Sequence, residues 1–209
     1  MTGSGLRKRM GSLADLVTLL SVNQASSLAE FAISLPLLVV LVVGIFDFGG
    51  AFNQKQQLSN AMREAARFGA SEATNDLASG TVPPSVDAIR FLVDSYLVAA
   101  RLPDCGLGTA SASSGPPWIY TTTGTCVGTL TLTIARDPPS GVAVATPTCF
   151  LMATNYGGSN TITVYLPCTQ VTISYPYQWH FNSVIQLLVP GANLALTQIS
   201  AGATAVNMN

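Results

Sequence analysis

Residues 28–48 read LAEFAISLPLLVVLVVGIFDF. From Phe31 to Phe46 the run carries no charge, and Leu, Ile, Val and Phe dominate it. Counted outward to Ala29 and Ala51, it reaches the roughly 20 residues that one membrane-spanning helix needs. The core helix of a soluble protein would show a polar face, whereas this run is apolar all round. Two acids mark its ends, Glu30 at the entrance and Asp47 at the exit. The stretch predicts a membrane anchor.

The flanks predict its orientation. Arg7, Lys8 and Arg9 precede the run with only Asp15 opposing them, while Lys55, Arg63 and Arg67 beyond it are mixed with Glu64, Glu72 and Asp76. The denser basic cluster belongs on the cytoplasmic side, so the bulk of the chain is expected outside. GIFDFGGA, residues 44–51, is a poor signal-peptide cleavage site, because such sites need small residues and this one holds Asp47 and two Phe. No cysteine precedes Cys105 to carry a lipid, so the anchor is expected to persist in the mature protein. Pro36 within it removes one helical hydrogen bond and predicts a kink. Glu30 then needs a reason, since an acid in hydrocarbon costs up to about 3 kcal/mol, less near the interface. Either it snorkels to the headgroups, or it pairs with a cation inside the membrane, such as the amino terminus of a neighbouring chain.

The run SLAEFAISLPLLVVLVVGIFDFGGAFNQKQQLSNAMREAARFGA, residues 27–70, resembles the N-terminal signature of TadE-like proteins, minor pseudopilins of the Tad (Flp-type) pilus assembly system. The matching pieces are Glu30-Phe31-Ala32, Pro36 with the Leu/Val run behind it, Gly44 to Gly49, and Ala61-Met62-Arg63-Glu64-Ala65-Ala66-Arg67. The resemblance implies a leader over residues 1–25, cut by a prepilin peptidase between Ala25 and Ser26 so that Glu30 becomes the fifth mature residue. Ala25 stands where the family usually has Gly. The resemblance also implies a single-pass protein of the bacterial inner membrane with a periplasmic pilin-like domain. Its implied partners are other pilus-assembly proteins and pseudopilins, besides the lipid bilayer. The ending VTISYPYQWHFNSVIQLLVP with LALTQISAGATAV resembles the C-terminal part of the family more weakly.

With a leader at 1–25 and a transmembrane helix at 26–50, residues 51–209 remain, about one ordinary domain. Net charge is −1 and charged residues make up 9%, so a basic surface for nucleic acid is absent. Cys105, Cys126, Cys149 and Cys168 all follow the anchor, and an even number in an exported domain reads as two disulfides. Three connectivities exist; the preferred one is Cys105–Cys126 with Cys149–Cys168, each closing a local loop. With no C-x-x-C spacing and one histidine, His180, a zinc site is not expected.

Beyond the anchor, Leu58, Ala61, Met62, Ala65, Phe68 and Gly69 recur at helical spacing, extending the helix to about Thr74. Ala61, Ala65 and Gly69 form a small-residue ladder that admits a close neighbour, either the protein's own sheet or another subunit. Pro83-Pro84 breaks the chain, Ser85 is positioned to cap, and Val86 to Leu102 repeats as a second, amphipathic helix. Residues 107–128 are Gly-, Ser-, Thr- and Pro-rich and read as loop. Strands are expected at Thr129–Ala135, Thr161–Leu166 and Gln170–Tyr175, with Val142–Ala145 a weaker candidate and Val184–Val189 ambiguous. Leu194–Val206 is a closing strand. Together this is an α+β class, with one N-terminal transmembrane helix continuing into a domain built of a second helix and an antiparallel sheet.

Neither a nucleophile elbow nor a phosphate-cradling loop is present, and the acids, Asp104 and Asp137 among them, form no paired-carboxylate pattern. His180 sits among aromatics as a structural or surface residue rather than a base. No cofactor and no enzymatic activity are expected. Tyr175, Tyr177, Trp179 and Phe181 form an aromatic stripe that suits core packing or a sheet face, or else a carbohydrate- or partner-binding surface. The expected function is assembly within the pilus system. The alternative is a bitopic extracytoplasmic binding module, in which the aromatic stripe is the site.

Overall fold

The computed structural model describes residues 11–78, 81–137, 152–155, 161–164, 167–179, 181–182, 186, 191 and 197–208. The chain divides into two compact units, one of Met1–Asp47 with Phe181–Asn193, the other of Phe48–His180 with Leu194–Asn209. Within the first unit, the Asp47 carboxylate accepts the backbone N–H of Phe181.

Helix α1, Gly11–Ser71, contributes to both units. In the second unit, α2 (Pro84–Ala99) joins a four-stranded antiparallel sheet in the order β1 (Trp118–Thr122), β2 (Leu130–Arg136), β5 (Cys168–Tyr177), β6 (Thr197–Val206). β3 (Met152–Asn155) and β4 (Thr161–Val164) pair in a separate two-stranded sheet.

Alternation fixes which face of the main sheet is covered. Leu130, Leu132 and Ile134 of β2 are buried, and so are Val171, Ile173 and Tyr175 of β5, while Thr131, Thr133, Thr172 and Ser174 between them are half-buried. The register sets Leu132 opposite Ile173 and Ile134 opposite Val171, so the apolar sets coincide on one side. Against that side lie Leu58, Met62, Ala65 and Ala66 of α1 and Val86, Ile89, Val93 and Leu97 of α2, all in one core.

The helix ends are satisfied by distant side chains. Arg136, 1% exposed, closes the C-terminus of α1. Its Nη2 donates to the Gly69 and Glu72 carbonyls at 2.6 and 2.9 Å, and its Nη1 to the Ala73 carbonyl at 3.4 Å and to Ser85 Oγ. A cation on the last carbonyls both fills orphan acceptors and opposes the helix dipole. At the start of α2, Pro83 occupies the cap position without a side-chain bond, and the Asp76 carboxylate accepts the Ser85 N–H at 2.9 Å. The expected Ser85 cap is thus corrected to Asp76, and the Ser85 hydroxyl serves Arg136 instead.

The expected loop over residues 107–128 is also corrected. It contains a short 3-10 turn, Leu107–Thr109, and the edge strand β1, whose Trp118 and Tyr120 point into the core. The weaker strand candidate Val142–Ala145 lies outside the described residues, as does the Val184–Val189 run except for Gln186, which is helical.

Candidate functional site: the anchor helix and its exit

The apolar part of α1 is exposed. Its most hydrophobic 18-residue window has a mean hydropathy of 2.5 and none of it is buried. Leu37 and Phe46 are 72% and 76% exposed, with Leu41, Ile45 and Phe31 close behind. Each such side chain left in water forgoes about 1.5–3 kcal/mol relative to burial, so hydrocarbon is the solvent that suits this surface. The helix meets the other demand of a bilayer, since apart from the Ala32 carbonyl opposite Pro36 its backbone polar groups can pair internally. Ser34 returns its hydroxyl to the Phe31 carbonyl at 3.1 Å, which leaves no free donor there. α1 runs through Pro36, whose ring nitrogen cannot donate to the Ala32 carbonyl. The N-terminal apolar helix thus has the character of a single-pass membrane anchor.

The two acids at its ends have different surroundings. Glu30 is exposed and meets no partner among the described residues. Asp47 is 6% exposed and holds the Phe181 N–H, so it ties a residue 134 positions away to the anchor's end. Asp47 is therefore more than an exit marker. Ala25 and Ser26 lie inside α1, and the helix continues through the bond between them. Arg7, Lys8 and Arg9 lie outside the described residues.

The ladder of small residues is buried within the second unit. Ala61 and Ala65 are 4% and 0% exposed, and Gly69 is buried with them. A Cβ on Gly69 would lie 2.6 Å from Ile89 Cδ1 and 2.7 Å from Thr169 Cγ2. The close approach permitted by the ladder is used by the protein's own α2 and β5. Cys105 and Cys126 form a disulfide closing a loop of 21 residues' separation. Cys168 is disulfide-bonded as well, and Cys149, its expected partner, lies outside the described residues.

Tyr175 and Tyr177 of the aromatic stripe are buried, and Trp179 and Phe181 half-buried; His180 lies outside the described residues. The Tyr175 hydroxyl donates to the Pro103 carbonyl at 2.9 Å, and burial, with the Asp104 charge adding, pushes this phenol up to about 12. A cleft of about 280 Å³ nearby is lined by Gln54, Pro103, Cys126, Tyr175 and Tyr177 among others, none of them a carboxylate or a cation. Burial, then the neighbouring Asp104 charge, also raises the Asp94 carboxyl. Among the described residues no group of acids, histidines and cysteines is arranged to hold a metal.

The helix that carries Glu30, Pro36 and Asp47 is also where the chain matches a known family. The family model described as TadE-like protein matches residues 25–67. Over this stretch the chain is similar to TadE-like proteins. The match lies wholly within α1 and opens at Ala25, so the likeness covers the helix and not the sheet. TadE-like proteins belong to Tad pilus systems as structural components that associate with other assembly proteins. No curated protein and no solved structure matches the chain.

Proposed function

We propose that this chain is a membrane-anchored, pseudopilin-like component of Tad (Flp-type) pilus biogenesis or secretion, acting by assembly rather than catalysis. The observation that carries the reading is an exposed apolar helix inside the TadE-like stretch, with an acid at its entrance that meets no partner among the described residues. A prepilin peptidase removes residues 1–25, leaving Ser26 first and Glu30 fifth. The helix holds the protein in the bacterial inner membrane, with the Arg7–Arg9 side cytoplasmic and the sheet periplasmic. Glu30 pairs there with a cation of another subunit, and Pro36 leaves the Ala32 carbonyl, two residues beyond Glu30, without its helical donor.

Cross-linked native membranes test the reading. Affinity purification of the tagged full chain should bring down pilus-assembly proteins, and the purified chain should begin at Ser26. Recovery of the intact, membrane-embedded chain without any pilus component would reject the assembly role.

A further inference from the structure

The second unit opens with a patch of aromatic rings that the core does not use. Phe48 and Phe52 are 60% and 66% exposed and stand one helical turn apart on α1, hence on the same face. The Trp179 ring meets Phe48 edge-on at 5.2 Å between centroids, and Tyr177 at 5.0 Å. The indole Nε1 donates to Thr197 Oγ1 at 2.6 Å, so the one polar atom of Trp179 is satisfied by the protein. No charge occurs from Phe48 to Gln54, and Lys55, exposed on the same face of the helix, is the first.

We propose that this patch is a lipid-binding surface: Phe48, Phe52 and Trp179 sit in the headgroup layer of the outer leaflet, with the Lys55 ammonium on lipid phosphate. The inference rests on reading residues 28–48 as an anchor, and continuity with that anchor selects lipid as the occupant. Phe48 directly follows the apolar run, and α1 continues unbroken through it. At 1.5 Å per residue, Phe48, Phe52 and Lys55 lie about 1.5, 7.5 and 12 Å along the helix from Asp47. The headgroup layer on each side of a bilayer is about 5–8 Å deep. Both phenylalanines therefore fall within that layer, and the flexible lysine begins just above it. Aromatic rings are favoured at this depth, where an apolar body is solvated by acyl chains and a polar edge by headgroups. The aromatic patch is thus a lipid contact additional to the apolar run.

The test uses the full chain in phosphatidylcholine–phosphatidylglycerol vesicles. The chain has two tryptophans, so Trp118→Phe leaves Trp179 as the only emitter. Should that variant fail to fold, the difference between the wild type and Trp179→Phe reports the same residue. Lipids brominated near the headgroup should quench Trp179 about twofold more than lipids brominated at the chain end, with aqueous iodide weaker than either. Phe48→Ser with Phe52→Ser should lower the lipid quenching and raise that by iodide. Quenching by iodide without quenching by brominated lipid would overturn the proposal, and so would protection from both, which marks burial of Trp179 in its own protein or against a second copy. Alkaline carbonate washing separates the premises. Protein retained in the vesicles with Trp179 unquenched by lipid rejects the aromatic contact alone, whereas release of the protein rejects the anchor and the contact together.

Discussion

Two phenols and a guanidinium carry polar chemistry into the core of the second unit, and each has a pH or stability consequence. Tyr120 and Tyr175 are 1% and 3% exposed. Burial first, and then the charge of Asp87 or Asp104, raises both from 10.0 to about 12. The folded state therefore keeps these protons when the unfolded chain has already lost them. Stability is complete below pH 10 and falls as pH rises toward about 12. Urea midpoints measured after rapid alkaline dilution should drop across that interval, and Tyr120→Phe with Tyr175→Phe should flatten the drop. A midpoint unchanged across the interval in the wild type would contradict these burial energetics. Arg136 works differently. Its bonds reach Gly69 and Glu72, 67 and 64 positions earlier, and no periodicity in the sequence marks such a partner. The same holds for Asp76 on the Ser85 N–H and for Asp47 on the Phe181 N–H. Side chains that serve distant backbone are invisible to local patterns, which is why these roles were not legible before the fold was.

The elements themselves were legible wherever a period was sustained. α2 shows its helical repeat, and β2 and β5 their alternation, because each buries one face against the same core. β1 was hidden by composition: WIYTT is only five residues long and follows a Ser-, Gly- and Pro-rich stretch. The small-residue ladder was legible as a place of close approach, but what approaches was decided by tertiary packing. Ile89 of α2 and Thr169 of β5 occupy the space that a side chain on Gly69 would need. Gly69→Ala should therefore cost about 1–3 kcal/mol through overpacking, despite alanine's better helix propensity. A chemical-denaturation midpoint equal to or above that of the wild type would show that Ile89 and Thr169 yield without strain, contrary to the packing described.

At the scale of the whole molecule, two kinds of surface are combined in one chain. The first unit carries an exposed helix long and apolar enough to cross a membrane, and the second an antiparallel sheet with α2, cross-linked by Cys105–Cys126. The membrane helix and its TadE-like character were readable because an uncharged run with Glu30, Pro36 and Asp47 at fixed spacing is rare and local. The sheet-bearing unit has no such signature, and the family match does not reach it. Glu30 is the point at which anchoring and assembly diverge. Glu30→Gln keeps the size and removes the charge. If the carboxylate only reaches for headgroups, the substitution lowers a desolvation cost and leaves function intact. If it pairs with a cation of another subunit, the substitution strands that cation at low dielectric. Breaking such a pair costs about 3–5 kcal/mol, more than a hundredfold in occupancy. The decisive measurement is co-purification of pilus-assembly proteins with the Glu30→Gln chain from native membranes, alongside surface piliation. Membrane levels equal to wild type with co-purification and piliation lost is the predicted result, and normal piliation at normal membrane levels would contradict the pairing mechanism.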